Sequence, residues 1–213
     1  MALDKNIKPE DGNIHDTKLK ILDSAEKLFA LNGFENTSIR AIVKDAGVNV
    51  ALVNYHFGSK EELIRAVIDR RLIPLEVEKY DRLKKLESEC GKQAPEIERI
   101  MDAFISPLFS LSGNLQFLRL LARIHSELPP PSDLKNLPDE LIKTNESYMK
   151  AIEKALPGQS TDEIGLKIFC VMNMIHQVII MTQMAPFPGS RNEDLTLLQK
   201  RLITYSIAIF KAK

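Results

Sequence analysis

A chain of 213 residues is long enough to bury a substantial core in one or two domains. With 44% hydrophobic and 27% charged residues it has the balance of a water-soluble globular protein; sparse Gly and Pro and the lack of Trp argue against a β-sandwich. Lys plus Arg and Asp plus Glu number 29 each, and the first 70 residues hold ten basic and eleven acidic groups. Overall charge therefore gives no support to a nucleic-acid partner, and any such case must rest on where individual residues sit.

The first sixteen residues have no apolar stretch of the kind a secretory signal needs. Pro9, Gly12 and mixed charges make residues 1–16 read as a flexible arm. From Thr17 the pattern becomes helical: Ile21, Leu22, Ala25, Leu28 and Phe29 share one face, Asp16 is placed to cap the start, and Gly33 to end it. Phe34 then returns to the core. Thr37 or Ser38 opens a second, short helix with Ile39, Ile42, Val43 and Ala46 inward, and Gly47 closes it. A third short helix is predicted from Asn49 to Tyr55, with Val48 and Leu52 as its core contacts. Two short helices joined by a tight turn suit a helix-turn-helix.

After His56-Phe57-Gly58, Ser59 and Glu62 have the spacing of a capping box and open a long helix. Glu61/Arg65, Glu78/Arg82 and Asp81/Lys85 support its exposed face, Pro74 is expected to kink or split it, and Gly91 ends it. Five more helices are predicted over residues 95–111, 114–127, 136–155, 161–184 and 193–211, with proline-rich loops at 129–131 and 186–189. No strand pattern or repeat is visible, so the fold class is all-α. The apolar run over residues 168–181 is interrupted by Asn173, His176 and Gln177 and reads as a buried helix, not a membrane span. Cys90 and Cys170 lack CxxC spacing and read as free thiols of a cytoplasmic protein.

Ala46-Gly-Val-Asn-Val-Ala-Leu-Val-Asn-Tyr-His-Phe-Gly-Ser-Lys-Glu-Glu-Leu63 resembles the signature of the TetR family. Ala25, Leu28-Phe29, Gly33-Phe34 and Thr37-Ser38-Ile39-Arg40-Ala-Ile42 stand upstream at the spacings that family uses. The resemblance covers residues 17–65 and implies a three-helix helix-turn-helix DNA-binding domain there, with a larger helical ligand-binding and dimerisation domain over 66–213. It further implies a homodimeric repressor on a palindromic operator in double-stranded DNA, released by a small hydrophobic or amphipathic effector. Residues 49–57, with residues 117–128 later, look like those of a TetR subgroup with a CecR-like C-terminal domain.

The residues carry the same reading chemically. The helix after Gly47 exposes Asn49, Val50, Ala51, Asn54 and Tyr55; Asn can pair with adenine, and Ala or Val can meet a thymine methyl. Thr37, Ser38 and the start of the second helix suit a phosphate, as do Tyr55, His56 and Lys60 at the other end, while Arg40 can reach a phosphate or a base. Val50 departs from the polar or Arg residue common in the family, and Asn54 from its usual aromatic. Each residue also has a plain structural reading: Thr37 as a cap, His56 closing a turn, Phe57 in packing, Lys60 as a solvated charge.

Phe104, Phe109, Phe117, Met149, Met172, Met181 and His176 are candidates to line an effector cavity, though a Met/Phe stripe at helical spacing is usually core. The broad apolar faces of the last two helices suggest a dimer interface through Ile168, Val171, Ile175, Ile179, Leu198, Leu202, Tyr205 and Ile209. No GxSxG, P-loop, HExxH or GxGxxG is present, and the four His lie far apart without ligands at metal spacing. An enzyme, a metal site and a cofactor are therefore not expected. The alternative from another class is an all-helical small-molecule carrier or protein adaptor that keeps the fold without operator binding.

Overall fold

The structure, a computed structural model, describes residues 11–110, 115–127, 138–184 and 195–212, and all regular structure among them is helical. Contacts divide the chain into two units, Met1–Ile68 and Asp69–Lys213.

The first unit holds α1 (Asp11–Asn32), α2 (Ile39–Ala46), α3 (Val50–Phe57) and the first turns of α4 (Lys60–Cys90). Helix α1 begins before Thr17, so residues 11–16 belong to it and not to an arm. Asp16 is no cap there; it pairs with Lys20 at 2.6 Å. Once Ile21, Ala25 and Phe29 anchor the helix by burial, extending it by another turn needs no further apolar residue.

Ser38 caps α2, its Oγ accepting from the Ala41 amide at 3.2 Å. Gly47 ends it at φ 66°, and the amides of Gly47 and Val48 both donate to the Val43 carbonyl. Asn49 then caps α3, its Oδ1 accepting from the Ala51 amide at 2.9 Å. This cap sets the phase of α3: Val53 turns inward at 1% exposure, while Leu52, expected in the core, lies at the surface. Val48 is half-buried. Helices α1, α2 and α3 pack on one another, and Phe29 and Phe34 lie 5.1 Å apart, centroid to centroid.

Helix α4 starts at the Ser59 cap, whose Oγ accepts from the Glu62 amide at 3.1 Å. It is not split at Pro74. Burying Leu75, Leu83 and Leu86 contributes about 1.5–3 kcal/mol each, which outweighs the roughly 3 kcal/mol cost of an interior proline.

In the second unit α4 continues and is joined by α5 (Ile97–Ser110), α6 (Leu115–Glu127), α7 (Asp139–Ala155), α8 (Thr161–Met184) and α9 (Leu195–Lys211). Helix α5 packs on α7 and α9 and buries Ile97, Ile100, Met101, Phe104, Ile105 and Leu108. Helix α7 is tied to α4 by two hydroxyls: Thr144 donates to the Glu76 carbonyl at 3.1 Å and Tyr148 to the Lys79 carbonyl at 3.0 Å. At the end of α9 the buried Lys167 ammonium, from α8, donates to the carbonyls of Ala212 at 2.7 Å and Phe210 at 3.4 Å, and to Gln159 Oε1 at 3.1 Å. A cation among the last carbonyls of a helix meets both their unpaired lone pairs and the negative end of the helix dipole.

A side chain added at Gly47 meets nothing within 4 Å, so only the left-handed backbone resists it. Gly47→Ala is expected to lower the stability of the first unit by about 1–2 kcal/mol, read as an earlier urea midpoint in far-UV circular dichroism.

Candidate functional site

In the first unit the residues predicted to meet DNA separate into two groups. Asn49, Val50, Ala51, Asn54 and Tyr55 are all exposed, Tyr55 at 73%. None of them is needed for the packing of α3, which rests on Val53. The Asn49 carbonyl oxygen is occupied by its cap, leaving the amide NH2 as its outward chemistry. Ser38 and Arg40 are exposed at the start of α2. His56 is half-buried with its ring edge-on to Tyr55 at 5.1 Å, and Lys18 Nζ lies 5.8 Å from the half-buried Phe57 ring. Lys60 is half-buried, and its ammonium reaches the Glu35 carbonyl at 3.5 Å.

Thr37 is the exception. It is 1% exposed and its hydroxyl lies 2.7 Å from the Gly33 carbonyl and 3.2 Å from that of Leu28. The side chain latches the α1–α2 connection and has no reach to a phosphate. Lys44, not among the expected residues, is exposed one turn after Arg40 on α2; its i,i+4 spacing from Arg40 was the available signal. Beside it, the ammonium of Lys27 hydrogen-bonds Asp45 at 2.7 Å and, with the Ser24 hydroxyl, holds the Asp45 carboxyl below its ordinary range.

The second unit contains a partly open cavity of about 330 Å³. Phe104, Met149 and Met172 line it, as expected. Phe109, Phe117 and His176 do not: Phe117 is buried in the core with the Arg71 guanidinium 6.0 Å from its ring, and Phe109 and His176 are half-buried elsewhere. The Met181 side chain lies outside the described residues. Four polar wall residues, Glu76, Lys79, Asn145 and Tyr148, were not expected from the sequence. Glu76 and Lys79 form a buried ion pair of 2.8 Å, their side chains 3% and 5% exposed. A Glu and a Lys at i,i+3 on a long charged helix look solvated until a neighbouring helix covers them.

The expected dimer face needs correction as well. Val171, Ile175, Leu198 and Leu202 are buried in the unit's own core, Ile168 and Ile209 pack half-buried against it, and Ile168 and Val171 line the cavity. The Ile179 side chain lies outside the described residues. Among the described side chains of α8, the large apolar residues facing solvent are Leu166, at 57% exposure, and Phe169, at 64%, with Cys170 beside them. Those of α9 are Leu195, Leu197 and Tyr205, and of the predicted interface only Tyr205 is among them. Periodicity marked both helices as apolar on wide faces but could not assign the halves.

Two eight-residue helices joined through a left-handed glycine, with the second helix exposing a row its packing does not use, define a helix-turn-helix module. Residues 21–67 match the family described as bacterial regulatory proteins, tetR family. The HTH-type transcriptional regulator UidR of Escherichia coli K12 is 40% identical over 52 residues, 24% of this chain and 26% of UidR. The probable HTH-type transcriptional regulator YttP of Bacillus subtilis is 46% identical over 52 residues, 24% of this chain and 25% of YttP. The alignments thus span about a quarter of the length of these curated relatives. NalD, described as the secondary repressor of the MexAB-OprM multidrug efflux pump in Pseudomonas aeruginosa, shares the fold. Its TM-score is 0.61 over 92% of this chain and 96% of NalD, at 17% identity. The sequence match to the tetR family thus lies in residues 21–67, and over the rest of the chain the likeness to NalD is one of fold. The CecR-like subgroup expected from residues 49–57 and 117–128 is not established by these matches.

Thr37→Val removes the hydroxyl and leaves the Gly33 carbonyl, its nearer acceptor, short of that donor. It is expected to cost about 1–3 kcal/mol in urea unfolding, while the salt dependence of any DNA binding stays as in the parent chain.

Proposed function

We propose that the chain is a dimeric transcriptional repressor that binds a palindromic operator through α3 and is released by a small apolar effector held in the second unit. The observation that carries this reading is the row Asn49, Val50, Ala51, Asn54 and Tyr55, exposed and without a packing role, directly after the Gly47 turn. In the proposal Asn54, with Val50 and Ala51, reads base edges from the major groove. Ser38, Arg40, Lys44, Tyr55 and Lys60 hold phosphates on either side and set the register.

Dimerisation is assigned to the outer faces of α8 and α9, through Leu166, Phe169, Leu197 and Tyr205. A two-fold axis there would pair like with like and present two copies of α3 to the two halves of a palindrome. Effector binding and operator release would be coupled through α4, whose residues are shared between the two units. No described helix is long and apolar enough to cross a membrane.

The test is a gel shift of the purified chain on the DNA upstream of its own coding sequence, with sequence selection from random duplexes. No preference among duplexes at modest salt would reject operator binding and favour a carrier or adaptor. Lys60→Met is expected to weaken binding on all sequences alike and to reduce the slope of log affinity against log salt by about 0.9. Asn54→Ala is expected instead to cost about 1–3 kcal/mol at one base position and relax preference there. Phe169→Glu is expected to shift the chain from dimer to monomer in sedimentation velocity. A parent chain already monomeric at micromolar concentration would reject the assigned face.

A further inference from the structure

Building on the effector-responsive reading above, we propose that the cavity of the second unit selects an uncharged apolar molecule bearing one hydrogen-bond donor, an alcohol or phenol, and that Glu76 Oε2 accepts it. The cavity wall is mostly hydrocarbon and aromatic, including Met101, Phe104, Met149, Ile152 and Met172. At about 330 Å³ it lies near the small end of ligand sites. Glu76 stands in that wall with one carboxylate oxygen satisfied and one not. Oε1 accepts from Lys79 Nζ at 2.8 Å, whereas Oε2 is buried and has no hydrogen-bond partner among the described residues. A buried, unsatisfied carboxylate oxygen is costly, and a group that donates to it recovers that cost on binding.

The neighbours narrow the donor further. Tyr148 also lines the cavity, but its hydroxyl proton is committed to the Lys79 carbonyl. Burial, and the nearby Glu76 carboxylate, push the Tyr148 pKa upward, so it keeps that proton at neutral pH. The Lys79 ammonium lies 4.7 Å from the Phe104 ring centroid and already balances the charge of Glu76. A cationic ligand would add a second positive charge beside Lys79 in surroundings that screen poorly. An anionic ligand would face the carboxylate, and an ether would set lone pair against lone pair. A hydroxyl meets Oε2 without changing the net charge.

The experiment titrates the full chain by calorimetry with four probes of matched size: 1-octanol, heptyl methyl ether, octylamine and octanoate, at neutral pH. Octanol is expected to bind at least roughly tenfold more tightly than each of the others, the discrimination typical of a hydrogen bond to a charged group. Equal affinity for the ether, or preference for octylamine or octanoate, would overturn the assignment. In Glu76→Gln the Lys79 ammonium still needs an acceptor, so the amide oxygen faces Lys79 and the amide NH2 takes the place of Oε2. The preference is then expected to invert toward the ether, and an unchanged preference for octanol would sink the role of Oε2. Should that variant fail to fold by circular dichroism, the parent ranking decides alone. Met172→Trp, which fills the cavity without touching Glu76, is expected to weaken octanol at least tenfold; undiminished binding would place the site elsewhere. If the probes bind without ranking, only the donor assignment fails. If none binds, the effector-site reading fails with it, while operator binding is scored separately by gel shift without ligand.

Discussion

Eight-residue helices cannot hold themselves together in water, and everything proposed for the first unit depends on two of them. What keeps α2 and α3 folded is burial of Ile42, Val43 and Val53 within a core that includes Phe29 of α1 and Phe34 of the connection after it. That core is small, so local chemistry must help it. Ser38 and Asn49 satisfy amides at the two helix starts, Gly47 turns the chain between them, and the Thr37 hydroxyl closes the α1–α2 connection. Because the inward residues carry the stability, the outward residues of α3 are released from it. A surface free of packing duty is what a reading helix requires.

The second unit handles polarity differently. Its core accepts a buried ion pair on α4 and spends the Thr144 and Tyr148 hydroxyls on backbone carbonyls of the same helix. Removing one partner of such a pair typically costs more than the pair itself contributes, since the other charge is left stranded. A charged pair in the wall of a mostly apolar cavity is hard to explain as stabilisation alone. With Asn145, it gives directional polar groups to a wall that is otherwise mostly hydrocarbon and aromatic.

Much of this was legible in the sequence. The helices of the C-terminal half begin and end close to where their apolar periods and flanking Gly and Pro residues place them, because long amphipathic segments leave a strong signal. The exposed row of α3 was likewise readable from Gly47 and the residues that follow. The misreadings have a common cause. Leu52 and Val53 are adjacent and equally apolar, and only the cap at Asn49 decides which turns inward. Thr37 and Ser38 are both fit to cap, and burial alone removes the first from the surface. Val171 and Leu166 are both apolar on α8, yet one faces the core and the other solvent. Glu76 and Lys79 resemble any surface pair until α5 and α7 are in place. In each case the deciding information is tertiary, and periodicity in one helix does not contain it.

The seat of Lys167 has a practical side. Terminal helical turns usually fray and tolerate trimming, but here the closing carbonyls of α9 are what solvates a buried ammonium. Shortening the chain by even a few residues would therefore expose the defect not at the cut but inside α8. An affinity handle or fluorescent fusion is better carried through a spacer that leaves Phe210 and Ala212 in place.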